Sequence, residues 1–261
     1  DERTTQKLEV PMMGLRWIPA AALAAVLLPA PTRAQTPAAG APDSVRSQMI
    51  ELPEPRLDGE VAVERALQTR RSVRSYAPAP LPLEQLGQVL WAAQGITAPR
   101  PEPPAYWDDR EWPGGLRTAP SAGALYPLEV YIVAGNVAGL RPGVYRYLPR
   151  EHALAGVVAG EKRGALSDAA LRQGAILSAP ASIVIAADFS RTATKYAERA
   201  PRYVHMEAGA AAENALLQAQ ALGLASVFIG AFRDADVAAT LRLPRDQSPL
   251  VILPIGLPPA E

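Results

Sequence analysis

The chain has no cysteine and only two histidines, His152 and His205, among its 261 residues. Without cysteine there is no disulfide framework, no thiolate metal site and no cysteine nucleophile, and the redox compartment is left open. Two imidazoles are too few for a metal centre built mainly on histidine, so no metal is expected. Nor is there surplus charge of either sign, since 26 lysines and arginines balance 26 aspartates and glutamates. No long-range field draws in nucleic acid or an acidic membrane, and a nucleic-acid partner is disfavoured. No internal repeat stands out. What is present is apolar mass, 49% of the residues, in a length that suits one large domain or two small ones with a sizeable core.

The first 34 residues read as an export leader. Met12, Met13 and Arg16 open a segment whose apolar body, Trp17 to Leu28, is too short to span a bilayer comfortably. Thr32-Arg33-Ala34 then offers small residues at cleavage-type positions, which predicts processing near Ala34 and a periplasmic or secreted product without a stable membrane span. The alternatives are an N-terminal anchor or a structureless Ala/Pro leader, and a different start site would make the protein cytoplasmic. Residues 35–59, rich in proline and small side chains, read as a flexible linker, and 60–261 as the domain.

Within the domain the apolar pattern switches between helical and strand periods. Val61 to Thr69 suits a short helix, and Leu83 to Gln94 a second with Leu83, Leu86, Val89, Leu90 and Ala93 on one face. Ala98 to Ala119, proline-rich and carrying Tyr106, Trp107 and Trp112, reads as a long loop, either a functional lid or ordinary surface packing. Leu128 to Ala134 and Val144 to Leu148 read as strands, and Ala181 to Ala187 as one buried on both faces. Arg202 to Leu222 is an alanine-rich helix closed by Gly223. Val227 to Gly230 and Pro249 to Gly256 give further strands, with a helix over Asp234 to Leu241 between them.

Four clusters carry chemistry. Arg70-Arg71-Ser72-Val73-Arg74 packs three guanidinium forks and a hydroxyl into five residues, which suits an anion such as phosphate; the competing reading is a solvated basic helix end. Ala119 to Pro127, through Pro120-Ser121-Ala122-Gly123, sets small residues ahead of a strand, where backbone can approach a flat ligand; otherwise it is a plain turn. Glu207 to Asn214 places four small side chains in succession on a helix, for a planar ring or for close packing. Phe228-Ile229-Gly230-Ala231-Phe232 ends a strand in a glycine.

In this order the clusters resemble the FMN-dependent nitroreductases, and within them the branch of the SagB/ThcOx dehydrogenases. The resemblance runs from Glu60 to Pro258 and includes Arg202 to Gly209, Ile229 to Asp234 and Leu253-Pro254-Ile255-Gly256-Leu257-Pro258. It implies an α+β fold, a three-layer α/β/α sandwich with a mostly antiparallel central sheet, as a homodimer with FMN at the interface. By the same resemblance Arg70, Ser72 and Arg74, with Arg71 adjacent, would hold the FMN phosphate and ribityl chain. Pro120, Ser121, Ala122 and Gly123 would lie along the isoalloxazine edge, and Gly230 and Ala231 near the opposite part of the ring. Lys195, Tyr196, Arg199 and Tyr203 fall where that branch has basic and phenolic residues near the flavin. Lysine and tyrosine there could pass protons or polarise a substrate, although a solvent-facing charged loop would look the same.

The activity so implied is transfer of hydride or electrons through the flavin to or from a small organic substrate, with NAD(P)H or another donor. An azoline-type peptide dehydrogenase is the alternative within the enzyme class. Ala210 and Leu257 stand where many relatives carry polar groups, which leaves a non-catalytic flavin-binding module as the reading from another class.

Overall fold

Seven strands make one twisted sheet, and the order of those strands brings the ends of two central ones to the same edge of the molecule. In the computed structural model, residues 49–100, 102 and 114–259 are described, and they belong to one unit, Ala41–Glu261. The elements follow the chain as β1 (Met49–Glu51), α1 (Val63–Thr69), α2 (Leu83–Gln94), β2 (Ile96–Pro99), β3 (Gly115–Arg117), β4 (Leu128–Ala134), β5 (Gly143–Leu148) and β6 (Ala153–Ala159). They continue with α3 (Arg163–Ala169), α4 (Gly174–Ser178), β7 (Ala181–Asp188), α5 (Phe189–Tyr196), α6 (Ala200–Ala221), β8 (Ala225–Ser226), α7 (Asp234–Leu241) and β9 (Gln247–Gly256). The sheet order is β1-β6-β5-β4-β7-β9-β8, with antiparallel pairing throughout, and β2 and β3 form a separate antiparallel pair.

The period-2 alternation of β4 decides the layering. Val130 and Ile132 point to the face covered by α2 and α6, packing with Leu86, Val89, Leu90, Val204 and Ala211. Tyr131 and Val133 point the other way, toward Leu166 of α3, Ile176 of α4 and Val237 and Leu241 of α7. Covered on both faces, β7 is buried at every position, Ser182 and Asp188 included, as its largely apolar run predicts. The result is the three-layer sandwich. Helix α6 is sustained by alanine, the best helix former, with proline in its first turn where the missing N–H costs nothing. It ends in a Schellman motif: Gly223 takes φ +70° and the Leu224 amide donates to Ala219 O at 2.8 Å.

Three expectations need correction. The end of the supposed linker 35–59 is docked: Met49–Glu51 pairs with β6, Leu52 is buried, and the Arg56 amide donates to Gln88 Oε1 at 2.8 Å. The supposed loop 98–119 begins and ends in strands, because Ile96–Pro99 and Gly115–Arg117 pair with each other; its Tyr106, Trp107 and Trp112 lie outside the described residues, as does the leader. Instead of a strand over Val227 to Gly230, the chain forms β8 at Ala225–Ser226 and then touches β9 only at Ile229↔Ile252. The apolar side chains there fill the core under α7 without a continuing ladder. No helix among the described residues is long and apolar enough to cross a membrane.

Candidate functional site

Antiparallel pairing of β4 with β7 matches Leu128 to Ala187, so the start of one strand lies beside the end of the other. The segment entering β4 and the helix leaving β7 must therefore meet, and the Asp188 amide donates to Pro127 O at 2.9 Å where they do. Asp188 also caps α5, accepting from the Ser190 amide at 2.9 Å.

The entering segment is a strained turn. Gly123 has φ +64°, and two residues with side chains, Ala124 (φ +55°) and Tyr126 (φ +44°), are left-handed beside it, each at a cost of about 1–2 kcal/mol. Hydrogen bonds hold it there: Ser121 Oγ accepts from the Tyr126 amide at 2.8 Å, and the Ala124 amide donates to Ser121 O at 3.0 Å. The Ala122 amide donates to Glu207 Oε1 at 2.8 Å, which ties the turn to α6. Asn214, two turns further along α6, donates to Thr118 O at 3.3 Å and fixes the approach to the turn.

Lys195 and Tyr196, at the end of α5, meet this turn. A Cβ on Gly123 would lie 3.1 Å from the Tyr196 hydroxyl and 3.2 Å from Lys195 Nζ, so the missing side chain is what lets them approach. Tyr203, on the first turns of α6, sets its ring edge-on to Tyr196 with centroids 4.9 Å apart, and Arg199 Nε donates to the Tyr203 hydroxyl at 3.1 Å. Ala197, between α5 and α6, is again left-handed at φ +45°. The predicted Lys195, Tyr196, Arg199 and Tyr203 are thus one cluster, packed against the predicted Gly123.

Beside it runs a mainly apolar groove of about 340 Å³, lined by Pro120, Ser121 and Ala122 from the turn and by Tyr203, Met206, Glu207 and Ala210 from α6. Glu207 is buried, and burial raises its carboxyl above the ordinary range, while the Ala122 amide, the Ser121 hydroxyl and the more distant Arg117 cation pull the other way. In the sequence Glu207 stands only at the start of a small-residue run. Its function as the strut between helix and turn shows only once both are folded.

The predicted arginine run is not helical. The Arg70 amide closes α1 on Ala66 O at 2.9 Å, after which the chain extends alongside β8, with Ser72 bridged to Ser226 and the Val73 amide donating to Ser226 O at 3.0 Å. Arg70 Nε lies 3.7 Å from Glu213 of α6. Arg71 turns back to the carbonyls of Gln68 at 2.9 Å and Arg70 at 2.8 Å, as a basic helix end does. Arg74 makes no hydrogen bond or ion pair among the described residues and is exposed. Gly230 and Ala231 follow the bridge of Ile229 to Ile252 of β9, and Gln173 Nε2 donates to Ala231 O at 2.9 Å. The structure joins the run to α6 and to β8. It shows no contact between Gly230 or Ala231 and the groove.

A second basic cluster, which the sequence did not suggest, lies behind the turn. Glu129 at the start of β4 is buried between two guanidinium groups, Arg146 Nε at 2.9 Å and Arg191 Nη2 at 2.7 Å. Arg191 also donates to Tyr126 O at 3.0 Å, so this pair too steadies the turn. Arg117 lies over the Tyr126 ring at 4.9 Å and donates to Gln94 Oε1 at 2.7 Å. Its burial draws the guanidinium down to about 10, against the opposing pull of Glu129. Among the described residues no group of three or more potential metal ligands gathers.

Known proteins share this architecture. The nitroreductase family profile matches residues 67–257. The nitroreductase-like protein MJ1384 of Methanocaldococcus jannaschii is 41% identical over 197 residues, 76% of this chain and 91% of its own. The microcin B17-processing protein McbC of Escherichia coli is 32% identical over 147 residues, 54% of each chain. Among solved structures, a nitroreductase-like protein of Ralstonia eutropha superposes with a TM-score of 0.67 at 30% identity, covering 83% of this chain and 92% of its own.

Proposed function

Because the chain belongs to the nitroreductase family, we propose that it is an FMN-dependent oxidoreductase, moving hydride or electrons through bound flavin to or from a small organic substrate. The observation that carries this reading is the meeting of Gly123 with Lys195 and Tyr196 beside the groove. A strained turn with Lys195 and Tyr196 against its glycine, and with small residues along its side of the adjoining groove, suits a flat ring lying in that groove. The donor set fits FMN: among the described residues Arg74 has no hydrogen bond or ion pair, Arg70 has a long pair to a half-exposed carboxylate, and Ser72 lies between them. Arg71, committed to backbone carbonyls, fits less well.

FMN, when bound, supplies the redox chemistry. The chain's own residues bind, orient and exclude water. Pro120 to Gly123 offer a face without long side chains, and Glu207 fixes that face through the Ala122 amide. The Tyr196 hydroxyl, with the Lys195 ammonium beside it and the Tyr203 ring against its own, is placed to hold or pass a proton at the ring edge or on a substrate. Exposed Val63 and Leu67 on α1, with Met206 on α6, would be covered in a homodimer. With its leader removed, the protein would work in the periplasm or outside the cell.

Purified protein supplemented with FMN should show bound flavin absorbance, bleached by NADPH without oxygen; no bound flavin would sink the proposal. In Gly123→Val, flavin retention should be lost while a folded circular-dichroism spectrum remains. The likeness to McbC favours a second reading, dehydrogenation of a peptide heterocycle with FMN as acceptor. It predicts that a thiazoline-containing peptide bleaches the flavin where NADPH does not. A bound flavin that no donor reduces would mark a non-catalytic module.

A further inference from the structure

Behind the turn lies a cavity of about 110 Å³, lined among others by Gln94, Arg117, Glu129, Arg146, Arg150 and Arg191. Among the described residues that line it, four guanidinium groups, those of Arg117, Arg146, Arg150 and Arg191, stand with two carboxylates, Glu129 and the exposed Glu151. Two of the four are already used: Glu129 takes Arg146 on one oxygen and Arg191 on the other. Arg117 is not neutralised in this way. Its Nη1 is bound by a neutral amide, Gln94, its plane rests on the Tyr126 ring, and no carboxylate forms an ion pair with it among the described residues. Its Nε is fully buried and has no hydrogen-bond partner.

A buried cation ordinarily has a counter-charge, and a buried N–H ordinarily has an acceptor. Nη1 is taken and Nε is enclosed, so Nη2 is the donor of the fork left for a group in the cavity. A guanidinium N–H and an oxygen of a carboxylate or phosphate make a charge-assisted hydrogen bond. Arg150, exposed at the rim, adds a second cation at the entrance. The volume is well below the roughly 300–1,000 Å³ of a pocket that encloses a whole small molecule, so it suits one charged group.

We propose that this cavity is a binding subsite for a small oxyanion, of carboxylate or phosphate type, held by the guanidinium of Arg117 and guarded by Arg150. Nothing in this depends on flavin, and the two hypotheses can fail separately.

The test is the thermal midpoint of the full chain in inorganic phosphate and in acetate, each against chloride at matched ionic strength. Occupancy raises the midpoint by mass action, and a rise of a few degrees is expected. The anion that gives the larger rise identifies phosphate or carboxylate as the preferred group. Arg117→Gln should shrink the rise by at least half, and Arg172→Ala, an exposed arginine that does not line the cavity, should keep it. Should Arg117→Gln not fold, Arg150→Ala decides in its place and should shrink the rise by at least half. The proposal is overturned if neither anion exceeds chloride, if the deciding variant keeps the full rise, or if Arg172→Ala alone removes it.

Discussion

The two arginine clusters of this chain reach their charge density by opposite routes. Arg70, Arg71 and Arg74 are neighbours in sequence and stay near the surface after folding. Arg117, Arg146 and Arg191 come from β3, β5 and α5 and meet only because those elements converge on the start of β4. The contact energies should differ accordingly. Arg70 faces Glu213 at 3.7 Å, with the two side chains 33% and 47% exposed, in water's high dielectric. Glu129, only 8% exposed, is held by two guanidinium groups at 2.7 and 2.9 Å. The surface run is therefore free to serve a ligand, whereas the interior cluster is committed first to the fold.

Removing the central carboxylate should have the largest effect on the interior cluster. Glu129→Ala leaves Arg146 and Arg191 clustered without a counter-charge and should cost about 3 kcal/mol, at the low end for buried pairs because Arg146 reaches solvent. Arg70→Ala should cost under about 1 kcal/mol, as exposed pairs do. Urea unfolding of both variants measures the contrast, and equal losses would erase it.

Ligand affinity should reverse the ranking. If the run grips the FMN phosphate, Arg74→Ala removes a charge-assisted hydrogen bond worth about 1.5–3 kcal/mol, or roughly 10- to 150-fold in the flavin dissociation constant. Its unfolding midpoint should not move, since Arg74 has no partner to lose among the described residues. Fluorescence titration with FMN reads the affinity. An unchanged constant would assign the run to the helix-end function that Arg71 already performs.

The contrast also marks what a sequence discloses. Helices α2 and α7 and strand β4 coincide with their predicted bounds, because period and length leave little choice for an amphipathic helix or a buried strand. Seven elements, β1, β2, β3, β6, α3, α4 and α5, had no predicted counterpart; a three- or four-residue strand such as β1, β2 or β3 is fixed by its partner and not by its own pattern, and helices of one or two turns carry too few periods to stand out. Among site residues, the run at Arg70 and the turn at Gly123 were legible because their chemistry is contiguous. Glu207 and Arg117 were not. Glu207 sits 85 positions from the amide it holds, and Arg117 lies 23 positions from Gln94, so neither pairing leaves a local trace.

Glu207 offers the finest test, because it is where the interior cluster and the groove touch electrically. Burial raises its carboxyl above the ordinary 4.5, and the Arg117 charge opposes that rise. A carboxyl with a raised value in the folded state binds more protons there than in the unfolded chain. Its contribution is thus most favourable below 4.5 and declines as pH climbs from there through the raised value, then stays level. Carboxylates held by arginine, such as Glu161 beside Arg163, have the opposite slope, so the total curve hides the effect. The difference between wild type and Glu207→Gln removes their share and should fall with rising pH over that window. Repeating the pair in an Arg117→Gln background takes away the opposing charge and should carry the fall to higher pH. A window that stays in place would mean that the two clusters, though they share one turn, do not act on each other.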